Sequence, residues 1–286
     1  MASLLSLKKR IQTAQNVSKT TKALQMIATS KLKKAQDAAL LSRPYVDKLS
    51  EVSKQLTSKV DKQFLHDYMQ KNEKVNKQLL IVMTPDKGLC GGMITTLARE
   101  IISFDNKYKP YFITIGKKAE LIVSKISKDI IASFPFGTSL PPFEVVYPIT
   151  KIMDEYFLTK KVSHVKILTT KFVNLFTQVP AMKTILPVDI EEEMEKAKNP
   201  YTSFEPNVTD ILPALLKQYL EMMVYQSLLE TYASEQGART IAMKNATDNA
   251  LMVIDELKLD YNKTRQEKIT NEILDISGSS FALKYE

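Results

Sequence analysis

The sequence predicts an α/β fold carried between two exceptionally long helices, and three observations point there. The first Pro is Pro44 and the first Gly is Gly88. Past Pro213 only Gly237 interrupts a helix-forming run that reaches Ser277-Gly278-Ser279. Between these ends, short apolar runs of strand length alternate with helical stretches, and nearly all the Gly and Pro lies among them. An end helix of ~60 residues extends ~90 Å at ~1.5 Å per residue, against about three turns for an average globular helix. Such a helix cannot bury itself in one small core. It must pair along its length, with the other end helix or with a partner.

The N-terminal helix offers an unusual seam. Steps of three and four connect Leu4, Leu7, Ile11, Ala14, Ser18, Thr21, Gln25, Ala28, Leu32, Ala35 and Ala39. The spacing is that of a coiled coil, but most of the residues are small or polar, so helix axes approach closely and little apolar area is buried. A second stripe, Val17, Leu24 and Ile27, lies beside it. Pro44 is expected to kink or end this helix locally. The C-terminal run shows Ala238, Ile241, Ala242, Ala246, Ala250, Val253 and Leu257; steps of four recur among them and depart from a strict heptad, which predicts a seam that drifts or straightens.

In the middle, Gln78 to Met83 reads as a buried strand ended by Pro85, Met93 to Ser103 as a helix, and Tyr111 to Ile115 as a second strand closed by Gly116. Lys117 to Lys128 is helical in pattern, Ile130 to Phe134 a third strand, and Lys151 to Lys160 a further helix. Val165 to Phe172 and Met182 to Val188 read as neighbouring strands. Strands alternating with helices predict a largely parallel sheet. Glu191 to Asn199 is a charged, Pro-flanked linker, and Thr209-Asp210 would cap the last helix with Pro213 in its first turn. The resulting division is a shaft helix over 1–60, an α/β domain over 77–190 and a second shaft helix over 207–286.

Composition narrows the function. The 286 residues are 44% hydrophobic and 25% charged, values of an ordinary soluble chain. No apolar run approaches the ~20 residues that span a bilayer, and Met1 to Leu7 is too short for the apolar core of a signal peptide. Cys90 stands alone, which excludes an internal disulfide and a dithiol switch.

The net charge of +8 is concentrated. Lys8, Lys9, Arg10, Lys19, Lys22, Lys31, Lys33 and Lys34 fall within the first 36 residues, which contain no acid. A basic helix of this kind suits nucleic acid, an acidic membrane surface or an acidic protein wall. The first aromatic residue is Tyr45, so no stacking platform accompanies the charge, and an acidic protein partner is favoured over nucleic acid.

The turn Thr84-Pro85-Asp86-Lys87-Gly88-Leu89-Cys90-Gly91-Gly92 is the natural place to look for chemistry. A Gly-rich turn opening a helix can cradle phosphate, but the spacing fits neither the P-loop nor the dinucleotide fingerprint. Tight packing is the preferred reading of these glycines. Cys90 has no acid-base partner in view, and the two histidines, His66 and His164, do not compose a zinc site. No catalytic residue, cofactor site or metal site is expected.

Three stretches resemble a known family. GLCGG after an apolar strand, KTTKALQMIATSKLKKAQ near the N-terminus, and ARTIAMKNATDNA followed by LDYNKTRQEKITNEILDISG are similar to the gamma subunit of F-type ATP synthase, bacterial type, over essentially the whole chain. The resemblance implies that the end helices form an antiparallel coiled-coil shaft inside a 3:3 ring of alpha and beta subunits. It places the α/β domain at the foot, against epsilon and the membrane rotor ring of c subunits. Residue by residue, Arg265 and Gln266 match a pair that touches a loop of one beta subunit, and Thr270 a third contact. Leu24 matches a Met facing the acidic hinge segment of beta, with Lys22 close by, and Arg239 an Arg of the lower shaft. Lys8, Lys9 and Arg10 would face the sleeve of the ring near the shaft tip. Pro85, Lys87 and Met93-Ile94 depart from the family's Gly-rich turn, which puts any shared contact there in doubt. The lack of a transit peptide and of the chloroplast regulatory cysteines favours a bacterial protein, on the cytoplasmic face of the cell membrane as a peripheral part of its complex.

The implied role is non-catalytic and mechanical: an asymmetric shaft whose angle biases each beta subunit, coupling ATP synthesis or hydrolysis to ion flow. Two other classes compete with it. One is the gamma-like shaft of a specialised F1-like motor not coupled to ordinary ion transport. The other is a coiled-coil scaffold that binds nucleic acid with a steep salt dependence.

Overall fold

In the computed structural model, β1 (Gln78–Met83) is the centre of the sheet because its side chains are buried on both faces. An unbroken apolar run allows this, since alternate residues point to opposite sides and both must be covered. The structure describes residues 3–57, 66–70, 72, 75–126, 129–188 and 208–282. The elements run α1 (Leu4–Thr57), β1, α2 (Met93–Tyr108), β2 (Tyr111–Ile115), α3 (Lys117–Ile126), β3 (Ile130–Phe134), α4 (Val146–Leu158), β4 (His164–Phe172), β5 (Gln178–Leu186) and α5 (Val208–Ala282). Strand order is β3-β2-β1-β4-β5. All pairs are parallel except β4 with β5, the antiparallel hairpin at the edge.

The chain forms two compact units, Met1–Ile27 with Thr240–Glu286 and, separately, Ala28–Arg239. In the larger unit, Leu79, Ile81 and Met83 face a core with Ile149, Met153 and Phe157 of α4 and Leu212, Leu216, Leu220, Val224 and Leu228 of α5. Leu80 and Val82 face the opposite layer, with Met93, Leu97, Ile101 and Phe104 of α2 and Ala119 and Val123 of α3. Each such buried side chain contributes about 1.5–3 kcal/mol, so β1 anchors both layers.

Several expected boundaries shift, each for a local reason. β5 begins at Gln178, not Met182, because Pro180 sits in an edge strand, where a missing N–H costs little. α4 begins at Val146 rather than Lys151, since Pro148 falls in its first turn, where no intrahelical donor is needed. α2 continues past Ser103 to Tyr108 and stops at Lys109, whose φ of 45° is left-handed. Pro44 does not end α1, which runs on to Thr57 with Pro44 exposed. Pro213 lies in the second turn of α5, and that helix passes through Ser277-Gly278-Ser279 to Ala282. The charged linker at 191–199 lies outside the described residues, as do 127 and 128 at the expected end of α3.

Candidate functional site

The smaller unit is a pair of helices whose seam on α1 follows the sequence pattern. Leu7 and Ser18 are buried, and Leu4, Ile11, Ala14, Thr21, Leu24 and Gln25 are half-buried. Val17 and Ile27 of the second stripe stay outside, 47% and 53% exposed, so Leu24 alone of that stripe touches the seam.

On α5 the seam differs from the expected one. Its inward positions are Met243, Thr247, Ala250, Ile254, Leu257, Tyr261 and Thr264, in strict alternation of four and three. Of the expected residues, Ala238 and Leu257 are buried, Ile241, Ala242, Ala246 and Ala250 are half-buried, and Val253 is 44% exposed. The buried positions Met243, Thr247, Ile254 and Leu257 keep heptad spacing, and Val253 drops out of the expected seam. A search for small apolar residues passes over Thr247, whose hydroxyl satisfies itself locally by donating to the Met243 carbonyl at 2.8 Å. Across the pair it meets the Thr21 hydroxyl at 2.7 Å.

Lys8, Lys9, Arg10 and Lys22 are exposed, and no acid of α1 stands beside them in the smaller unit. Lys9 and Arg10 border a shallow groove floored by Ala14, Val17, Ala250, Val253 and Leu257. The surface on offer is therefore an apolar furrow rimmed by cations. Arg265, Gln266 and Thr270 lie on the last part of α5, where every residue from Arg265 to Ile276 is exposed. Gln266 and Thr270 share a face one turn apart.

These predicted contacts do not form one site. Counted outward from the Thr21–Thr247 pair along antiparallel helices, Leu24 is level with Lys244, and Arg265 lies about 30 Å further along α5. Lys8 to Arg10 fall on the Arg265 side of that pair. The structure thus offers two levels of potential contact, a lower one at Lys22 and Leu24 and an upper one at Arg265, Gln266 and Thr270.

In the larger unit, the Gly-rich turn is an internal junction. The Asp86 carboxylate accepts from Lys117 N and Gly137 N, each at 2.8 Å, and from Phe136 N at 3.4 Å. The Thr84 hydroxyl accepts from Ala119 N at 2.6 Å. The start of α3, an anion-receptive helix end, is therefore filled by the chain's own carboxylate. The tight-packing reading of the turn glycines fails: a Cβ on Gly88 or Gly91 meets nothing within 4 Å. Gly91 is there for its φ of +59°. The close approaches are elsewhere, at Gly116, where a Cβ would lie 2.0 Å from the Thr84 carbonyl oxygen, and at Gly237, 2.7 Å from the Phe172 ring.

Arg239 closes the junction from α5. Its Nη1 meets Glu235 Oε1 at 2.7 Å, and its Nη2 donates to the Gly88 carbonyl at 3.2 Å. Burial raises the Glu235 carboxyl above its usual range, and the Arg239 guanidinium offsets part of that rise. Sequence reading missed this cluster, although Glu235 and Arg239 at a spacing of four were a visible signal. Cys90 is buried and its thiol is pushed up by that burial, which makes it a poor nucleophile. His66 Nδ1 accepts from Tyr68 N, and His164 Nδ1 pairs with the Ser163 hydroxyl. Among the described residues, no three His, Cys, Asp or Glu side chains are grouped to hold a metal ion, and no helix is long and apolar enough to cross a membrane.

The family model described as ATP synthase matches residues 3–283. The chain is 37% identical over 286 residues to the ATP synthase gamma chain of Dehalococcoides mccartyi, covering 99% of this chain and 100% of that one. It superposes on a chain of the cryo-EM structure of the Euglena gracilis mitochondrial ATP synthase (OSCP/F1/c-ring) with a TM-score of 0.71 at 18% identity, covering 98% and 94% of the two chains. A chain of the Tetrahymena thermophila central stalk and c-ring gives 0.60 at 24% identity, over 79% and 99%. At those identities, the structural likeness shows the fold.

Proposed function

This chain belongs to the ATP synthase family as a relative of its gamma chains, and from that premise we propose that it is the non-catalytic central rotor shaft of a bacterial F-type ATP synthase. The observation that carries the proposal is the helix pair itself. Aliphatic residues interspersed with small residues and threonines pack its seam, while its outer face is basic from Lys8 to Lys22. Such a surface suits a body that turns inside a sleeve, where directional guanidinium and amide contacts form and break.

In this reading the shaft helices, 1–60 and 207–286, stand in a 3:3 ring of alpha and beta subunits. The domain at 77–190 meets epsilon and the ring of c subunits, on the cytoplasmic face of the membrane. Arg265, Gln266 and Thr270 contact one beta subunit at the upper level, and Lys22 and Leu24 contact the acidic hinge of beta at the lower. Lys8, Lys9 and Arg10 run along the sleeve. The shaft performs no chemistry. Its angle has a different interaction energy with each beta conformation, so rotation and nucleotide occupancy drive each other.

The test is purification from native membranes by a tag on the exposed side of α3. Recovery of alpha, beta, epsilon and c subunits with ATPase activity is the expected result. Alpha- and beta-like subunits without c subunits would replace this reading with a specialised motor. Recovery of none of them would overturn it.

A further inference from the structure

A row of aliphatic side chains and the Lys183–Glu230 ion pair at 3.3 Å hold the earlier turns of α5 against the sheet, and beyond them the helix passes the Gly-rich turn with four further contacts. The Ser234 hydroxyl donates to the Thr170 carbonyl at 2.7 Å. Gly237 lies against the Phe172 ring so closely that even a methyl group would collide. Ala238 joins the core beneath Cys90, Leu97 and Ile101. Arg239 then reaches the carbonyl of Gly88. The first three contacts resist separation of helix and sheet. Only the last is a charge-assisted bond to the turn that Asp86 and Thr84 fasten to α3 and to the backbone at 136–137.

The guanidinium is well placed for a mechanical role. Its side chain is 15% exposed and that of Glu235 only 5%, so the ion pair is shielded from competing water. Glu235 holds one edge of the planar fork and leaves the other to the carbonyl, a geometry that an ammonium cannot reproduce. Glu235 Oε2 is buried without a hydrogen-bond partner, so this carboxylate is held in place for Arg239 and not for a network of its own.

We propose that Arg239 is a torque latch: the forked bridge from Glu235 to the Gly88 carbonyl transmits twist between α5 and the α/β sheet. The inference rests on the rotor function and assigns a path for its load. Twist entering α5 passes through the guanidinium to the 87–88 backbone. From there the Asp86 carboxylate and Thr84 hydroxyl carry it to the start of α3, so the domain follows the helix without lag. Arg239 is thus a positioning residue, acting through the turn and not on nucleotide.

The test uses the assembled alpha-beta-gamma complex, fixed by its ring, with a bead on the domain through Ser124→Cys, an exposed position. Cys90 is 1% exposed and does not compete for the label. Arg239→Lys keeps the positive charge for Glu235 but loses the fork. Glu235→Gln keeps an acceptor for Arg239 and leaves its bond to Gly88. The expected result for Arg239→Lys is a broader angular spread of the bead during each pause in ATP-driven rotation, with unloaded ATP turnover unchanged. Hydrogen exchange of the 87–92 amides speeds up by about tenfold. Glu235→Gln keeps a spread close to that of the parent. A parent-like spread in Arg239→Lys, with exchange raised, would overturn the latch and leave a local brace. A parent bead that does not rotate at all on ATP addition would instead count against the rotor function.

Discussion

The hydroxyls of Thr21 and Thr247 meet at 2.7 Å across the helix pair, in a seam whose buried neighbours Leu7, Met243, Ile254 and Leu257 are apolar. Each also has its own helical carbonyl to donate to, Val17 or Ser18 for Thr21 and Met243 for Thr247. The contact therefore acts as a register mark more than as a source of stability. A one-heptad slip would set each hydroxyl against a different partner.

The first prediction follows from that pair. Thr247→Val should change the unfolding free energy by no more than about 1 kcal/mol, because the Thr21 hydroxyl left behind still has carbonyl partners. The double change Thr21→Val with Thr247→Val should be neutral or stabilising in thermal unfolding. A loss above about 3 kcal/mol for the single change would show that the bond is a structural keystone.

Glycine positions separate conformation from contact. Gly116→Ala should destabilise by several kcal/mol, since φ is +99° and the new methyl would fall 2.0 Å from the Thr84 carbonyl oxygen. Gly88→Ala, with open space and no positive φ, should stay within about 0.5 kcal/mol of the parent. Chemical denaturation of both variants decides the matter, and equal losses would refute the distinction.

Asp154 provides a pH test. Burial raises its carboxyl above the ordinary value of 3.8, and Glu221 adds to the rise, while Tyr68 and Lys217 oppose it. Its Oδ1 is buried without a hydrogen-bond partner. An acid whose folded pKa is raised costs nothing below its unfolded pKa. The cost grows as pH climbs from there to the folded pKa and is constant above it. Asp154→Asn should therefore be no more stable than the parent below pH 3.8, gain on it through the raised pKa, and hold that gain at neutral pH. Thermal melts across this range read the difference, and a gain that is largest in acid would reverse the argument.

The exposed residues proposed to contact the ring should act on function without touching the fold. Arg265→Ala and Gln266→Ala should leave chain stability within about 0.5 kcal/mol, while slowing ATP turnover of the assembled complex. Replacing Lys8, Lys9 and Arg10 together with Gln should alter torque or turnover in a salt-dependent way if these cations ease rotation in an acidic sleeve. Unchanged turnover, torque and assembly would remove that role.

Much of the fold was legible because its signals are local. Breaker-free ends fix the two long helices, and three central strands, Gln78–Met83, Tyr111–Ile115 and Ile130–Phe134, fall where their apolar runs lie. The α1 seam was equally readable, since a heptad is a property of one helix. The resemblance in the two terminal motifs carried the family, and the full-length relative sustains it.

What the sequence determined by itself is therefore periodicity, charge and family: which stretches are helix or strand, where the cations cluster, and which motifs this chain shares. Tertiary structure decided what depends on a second segment. It moved the α5 seam to include Thr247, because a polar residue becomes a seam residue only when its partner helix presents Thr21. It turned Asp86 from a member of a phosphate-like loop into a cap for α3, because Lys117 N lies 31 residues away in the chain and only the sheet brings them together. It gave Arg239 a bond to Gly88 across 151 positions. A residue's own propensity is encoded beside it, whereas the acceptor that makes it useful is supplied by the fold.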